Sequence, residues 1–513
     1  MGTDMKRLAG VALLVAGLAL SGCSTNPPSD AASSPASGPA PVQNANPDAS
    51  VHVGFILEPT GLDPTSVSGA ALDQLVIDNV YEGLTRRAEN GDILPALATS
   101  WDISEDGLTY TFHLREGVKF HDGSDFDAAD VVATLEASAA EGSKNPDHKL
   151  MRTFKSAQAS DPHTVVVTLS EPNMNFLDSM STDAAMMVPS DNTVDLNKES
   201  NGTGPFTIGE WKTGSTITLE RNDNYWGDPA GTKEVVYHYY ADQTAAANAL
   251  ASGQIDILTT QNTDTVERFA ADPAIITSQG TETSWMTLGF NHSNPALANK
   301  DVRTAIRKGI DKDGLITALG GTMVRVGSMV SPGMAWWSDS LNDIDSYDPQ
   351  AARELLKKAG FENLSLNLRV ANNYDSAISE YVAAQLKEIG INVTIDRMEF
   401  SSWLDEVYRG GNYDLTMVLH VDPWTLTYYS NPSYYWHYDS AQAQQLNKEA
   451  MTASSLEERD KKLGELAAFV SEDAASDWLY SPKAIIFSRE GVSGFPTNRT
   501  GSRFYAADIQ VAR

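Results

Sequence analysis

Cysteine is all but absent. Cys23 is the one thiol in 513 residues, so no internal disulfide can form and packing alone must hold the fold. Cationic side chains are scarce as well: 37 Lys and Arg stand against 68 Asp and Glu, a formal net charge of -31. A polyanion of that size repels nucleic acid and anionic headgroups, which argues against both as partners and leaves the acidity as a solubility feature. No apolar run reaches the roughly 20 residues that a membrane span needs. Catalytic signatures are missing too. Gly491-Val492-Ser493-Gly494-Phe495 fails as a nucleophile elbow at its fifth position, and there is no H-E-x-x-H, no G-x-x-x-x-G-K-[ST] and no C-x-x-C. Gly202-Thr203-Gly204 lacks the third glycine of a dinucleotide loop, and the 9 histidines are scattered, with no pair at helix-face spacing. The expectation is a protein that is not an enzyme and has no resident metal or cofactor. A carboxylate-pair hydrolase stays open, because such pairs meet only in space.

What is present begins at the first residues. Lys6 and Arg7 precede an apolar run from Leu8 to Leu20, the length of a signal peptide. The run ends in Leu20-Ser21-Gly22-Cys23, which resembles the bacterial lipobox, where the thiol is alkylated by diacylglycerol and the leader is cut before it. Residues 1–22 are therefore expected to be a signal peptide, with Cys23 lipidated. Residues 23–50, rich in Pro, Ser, Ala and Asn, read as a flexible linker that cannot bury enough apolar surface to offset its ordering entropy. The remaining chain is too long for one compact core, so two or three domains are expected.

Local signals point to mixed α/β structure. Val51-His52-Val53-Gly54-Phe55-Ile56, Leu108–Leu114 and Thr164–Ser170 read as strands, and Asp127 as the cap of a helix. Asp348-Pro349 opens a helix that Gly360 closes. A strand in NLSLNLRVA, a helix from Ser376 to Ile389 and a strand from Ile391 to Met398 then form a βαβ unit.

Against a chain average of 8% aromatic residues, the stretch DPWTLTYYSNPSYYWHYDS (Asp422 to Ser440) is crowded with rings. It could be lobe core, an exposed adhesion patch or the wall of a binding site. Several long motifs bear on the choice. LPALATSWDISEDGLTYTFHLREGVKFHDGSDFDAADVV (Leu94 to Val132), GTGPFTIGEWKTGSTITLERNDNYWG (Gly202 to Gly227) and GFNHSNPALANKDVRTAIRKGID (Gly289 to Asp311) occur in order, followed by YDPQAARELLKKAGF and GNYDLTMVL. Together they resemble the bacterial extracellular solute-binding proteins of family 5, the oligopeptide-, dipeptide- and nickel-binding group that serves ABC importers.

The resemblance implies an α/β, two-lobed periplasmic-binding-protein-like clamp of class II, cluster C type, with an extra subdomain inserted in lobe one. Lobe one would comprise 51–91, 205–299 and 487–513, the insertion 92–204, and lobe two 300–486. Hinge crossings are expected near Asn291–Asp301 and Ala484–Ser488. The implied function is capture of a small solute, foremost short peptides, in the interlobe cleft and delivery to permease subunits with their cytoplasmic ATPases. The receptor would be a monomer anchored to the cell membrane through Cys23. A nickel or other metal chelate and an oligosaccharide are alternative ligands, and a secreted hydrolase or adhesion module the alternative classes. Expected ligand contacts are His420, Asp422, Trp424, Tyr428 and Tyr429, with Val67, Ser68, Gly69, Trp285, Met286 and Trp336 from stretches that border the cleft in relatives. One departure stands out: the aspartate that peptide-binding members carry shortly before the Asp-Pro pair is missing. Only Leu419-His420-Val421 precedes Asp422-Pro423. Either Asp422 takes over the ligand's amine or that charge is handled differently.

Cys23→Ala is expected to abolish membrane retention, so that a fractionation blot finds the protein in the soluble extracytoplasmic fraction. Continued retention would mean that another element holds it.

Overall fold

The computed structural model describes residues 42–67, 69–260, 263–270 and 272–512. The expected leader, Cys23, the linker up to residue 41 and Ser68 lie outside them. The last part of the expected linker is not free chain. Val42 N donates to Ser493 Oγ at 3.2 Å and Asn46 N to the Val511 carbonyl at 2.7 Å. Ala49 is buried, and strand Ser50–Phe55 follows with Val51, Val53 and Phe55 in the core. Backbone hydrogen bonds tie this segment down, and composition carries no sign of them.

One mixed sheet organises the molecule. Its strands run in the order Asn392–Met398, Ser365–Ala371, Leu415–His420, Trp285–Phe290, Ser476–Arg489, Ile257–Thr259, Ser50–Phe55, Glu234–Tyr239, Thr216–Arg221 and Phe206–Lys212. The long strand Ser476–Arg489 belongs to both halves. Its first part pairs with Trp285–Phe290, as in Leu288 opposite Asp477. Its last part pairs with Ile275–Thr281 and Ile257–Thr259. The switch falls at Pro482, which faces Met323 of the short strand Met323–Val324. Proline has no N–H to give a ladder, so it is tolerated where pairing changes partner. The two crossings therefore lie at Glu282–Ser284 and around Ser481–Lys483, earlier than the expected Asn291–Asp301 and Ala484–Ser488. The physical reason is that Trp285–Phe290 pairs throughout with Leu415–His420, which places it in the second half.

The βαβ unit forms as the local signals predict. Strands Ser365–Ala371 and Asn392–Met398 are parallel, and helix Ser376–Glu388 buries Ile378, Val382 and Leu386. Asp348 accepts from Ala351 N at 2.9 Å, and Gly360 leaves its helix at φ 81°. Residues 98–169 build a second, antiparallel sheet from Ala98–Ile103, Thr109–Leu114, Thr164–Leu169 and Phe154–Asp161. Tyr110, Phe112, Val165 and Val167 alternate inward beneath helix Ala128–Ala139.

The motif residues turn out to be scaffold. Asp122 Oδ1 accepts from Ser124 N and Asp130 from Asp127 N, a turn and a helix entry. Arg303 spreads its guanidinium over the carbonyls of Leu297, Ala298, Asp473 and Ala474, clamping the end of helix Leu456–Glu472. At Gly202 an added Cβ would stand 2.1 Å from the Val80 carbonyl oxygen. The next residue, Thr203, gives its hydroxyl to buried Glu82 at 2.7 Å. Gly202→Ala should therefore destabilise the fold by on the order of 1–3 kcal/mol through overpacking, measurable as a lowered urea midpoint at unchanged slope.

Candidate functional site

Helix Ala70–Val76, the turn after Met180 and the segment before Phe504 converge on the loop that follows strand Leu415–His420. They line a half-open chamber of about 280 Å³. Gly69, Asp73, Arg87 and Arg503 line it from the first half of the molecule, Asp183 from the insertion, and Pro423 from the second half. A wider cleft of about 850 Å³ lies between Asp92–Leu94 on one side and Trp336, Trp337 and Arg459 on the other.

A row of side chains runs between these two spaces. Arg87 and Asp178 form a buried ion pair. Trp424 Nε1 donates to the other Asp178 oxygen at 2.7 Å, and the Trp424 ring stacks on Trp336 with centroids 5.5 Å apart. The Arg459 guanidinium lies 5.3 Å from the Trp424 ring. Burial pushes the Asp178 carboxyl up, but Arg87 and the two hydrogen bonds outweigh it and hold it below the usual range. A donor to such a buried anion is worth about 1.5–3 kcal/mol, so this row joins the insertion firmly to the ring-rich loop.

The predicted residues divide. Trp424 and Trp336 stand in the row, Gly69 opens on the small chamber at φ 131°, and Val67 packs half-buried against the first core. Asp422 is already engaged: Oδ1 accepts from Trp424 N at 2.9 Å and Oδ2 from the Tyr428 hydroxyl at 2.8 Å. It holds the start of the short helix Thr425–Ser430 in shape. Tyr429 does not face a cavity; it is fully buried and stacked on Trp436 at 4.3 Å. Trp285 and Met286 are likewise core, pointing into two different clusters from adjacent positions of one strand. Strand alternation makes that outcome unavoidable: neighbours cannot both face one cleft. His420 meets the Tyr435 hydroxyl at 3.2 Å and the edge of Trp436, and desolvation holds its imidazole down to about 3. Among the described residues, no group of three or more His, Cys, Asp or Glu is placed to hold a metal ion, and no helix is long and apolar enough to cross a membrane.

Asp73, Arg87, Asp183 and Arg503 escaped the sequence reading. They are single charged residues in unremarkable contexts, brought together only by folding.

Two halves built on one shared mixed sheet, with an insertion beside them, define a periplasmic-binding-protein clamp. Comparisons with known proteins narrow the class. Residues 92–450 match the description of bacterial extracellular solute-binding proteins, family 5 (middle region). The di/tripeptide-binding protein 1 of Pseudomonas aeruginosa is 27% identical over 395 residues, covering 70% of this chain and 73% of that protein. The oligopeptide-binding protein AppA of Bacillus subtilis is 26% identical over 530 residues, 94% of each chain. The peptide-bound periplasmic protein DppA of Helicobacter pylori superposes with a TM-score of 0.71 at 25% identity, over 91% of this chain and 98% of that one. The chain belongs to the bacterial extracellular solute-binding proteins of family 5, and is a binding protein of transport rather than an enzyme.

His420 has a folded-state pKa below its unfolded value of about 6.5. Its contribution to stability is thus fully present above that pH and is lost as pH falls toward about 3. His420→Gln is expected to flatten the acid-side decline of the urea midpoint; an unchanged decline would mean that His420 stays solvated.

Proposed function

We propose that this protein is the lipid-anchored receptor of an ABC importer, held outside the cytoplasmic membrane by Cys23, and that it carries short peptides to the permease. The observation that carries the reading is the small chamber lined by Asp73, Asp183 and Arg503 on one side and by Pro423, from the loop after strand Leu415–His420, on the other. In this reading lobe one comprises 51–91, 205–281 and 484–513 with 92–204 inserted, and lobe two runs from 285 to 480. A ligand that touches both lobes binds the closed form better than the open one, and that difference in affinity is what drives closure. The permease can then distinguish a loaded receptor from an empty one. Gly69 borders the chamber on one side, with Val67 packed behind it in the first core, while Trp424, Trp336 and Tyr428 supply stiff aromatic surface beside it. His420, Asp422, Tyr429, Trp285 and Met286 support that wall from behind. Relatives named for di-, tri- and oligopeptides favour peptide as the cargo.

Native mass spectrometry of protein purified without denaturation is expected to show bound species of short-peptide mass. Incubation with a peptide library should leave every library mass unchanged. Cleavage products, or an empty protein that binds no library member in titration calorimetry, would overturn the receptor reading.

A further inference from the structure

Lobe two meets the insertion at a second place, outside the small chamber, through contacts of protein with protein. Trp424 Nε1 donates to Asp178 Oδ2 at 2.7 Å, and Asp178 is 4% exposed. The other Asp178 oxygen is ion-paired with Arg87 of lobe one, so the acceptor is a buried carboxylate fixed by a lobe-one cation. The backbones also join: Met174 N of the insertion donates to the Met451 carbonyl of lobe two at 2.9 Å. Leu456, the first residue of helix Leu456–Glu472, packs against the core cluster of the insertion, to which Met174 and Leu177 belong.

We infer that Trp424 and Asp178 are positioning residues of the clamp. Their hydrogen bond, together with the Met174–Met451 bond, is a latch that favours closure of lobe two on the insertion whatever cargo the chamber holds. This deepens the receptor reading and rests on it. Neither residue lines the small chamber, so neither has to touch cargo to act. The indole is aimed in advance. Trp336 stacks on it at 5.5 Å and the Arg459 guanidinium stands 5.3 Å from its ring, both from lobe two. Opening the clamp parts the indole from the carboxylate and leaves both to water. A hydrogen bond to a charged group shifts such an equilibrium by roughly tenfold to hundredfold.

The free energy of closing then has two sources. Cargo supplies one, which differs from ligand to ligand, and the latch supplies the other, which is the same for all. A receptor for peptides of varied side chains gains from the second, because weakly held cargo still closes the clamp. The effect falls on release. Cargo enters the open form, where the Trp424–Asp178 bond is not made, and leaves only after that bond has broken.

The test is hydrogen exchange at the Met174 amide in the full chain, read by mass spectrometry. Trp424→Phe keeps an aromatic face and removes the N–H; Asp178→Asn keeps the shape and removes the charge. Each should speed exchange at Met174 by about tenfold to hundredfold. The double variant should exceed the stronger single by less than about twofold, since both singles remove one bond. Amides of strand Trp285–Phe290 should exchange as in wild type, which separates a latch from general loosening. Stopped-flow release of L-alanyl-L-alanine and of L-phenylalanylglycine should accelerate by one common factor, with association unchanged. Unchanged exchange at Met174 in Trp424→Phe, or equal acceleration in strand Trp285–Phe290, would overturn the inference and leave the receptor reading intact. Faster release of one dipeptide alone would overturn it too, by making Trp424 a cargo contact. A chain that binds neither dipeptide counts against the receptor reading, while exchange at Met174 still decides the tie between lobe two and the insertion.

Discussion

Strand Ser476–Arg489 is the element on which the rest depends, because both halves of the molecule hydrogen-bond to the same backbone. One half hangs on Ser476 to Tyr480 through Trp285–Phe290, the other on Lys483 to Arg489 through Ile275–Thr281. Between them Pro482 interrupts the ladder. Covalent continuity keeps the halves together. A clamp needs that combination: rigid jaws, and a joint whose bending breaks few hydrogen bonds.

The chamber beside this joint is electrically unfinished. Three carboxyls and two guanidiniums face a small space, and several of their atoms find no partner in the protein. Such an arrangement is costly in a permanently closed core, where unpaired buried charge destabilises by several kcal/mol. It is tolerable where water or a charged guest completes the set. The buried network Arg307, Asp345, Asp477 and Lys312 in the second half shares that character: each cation there, like Arg87 and Arg503, has an anion within 4 Å.

The ring-rich stretch resolves into three layers with different neighbours. Tyr429 packs on Trp436 of the same stretch and on Trp478 of strand Ser476–Arg489, with centroids 4.3 and 5.8 Å away, and forms core. Tyr428 ties to Asp422 and shapes the loop. Trp424 alone reaches across to the insertion, through its indole N–H.

Much of the fold was legible in local chemistry. The capped helix from Pro349 to Ala359, the βαβ unit and the alternating strands of the insertion depend on neighbours in sequence, so propensity, caps and periodicity report them directly. The ordered motifs disclosed the family for a related reason: tight turns, close glycine contacts and an arginine clamp leave few residue choices at each position. The candidate site was read only in part. Of the expected contacts, Gly69 lines the small pocket and Trp424 reaches the insertion, whereas Tyr429, Trp285 and Met286 pack in cores, and the charged residues around the pocket carry no mark in the sequence. Which face a ring presents, and which carboxyl meets which guanidinium, is set by chain crossings between Asp73, Asp183, Pro423 and Arg503. The sequence by itself determined the elements and the kind of protein; only tertiary structure decided which charges share one cavity, because Coulombic and packing partners are chosen by distance in space and leave no periodic mark along the chain.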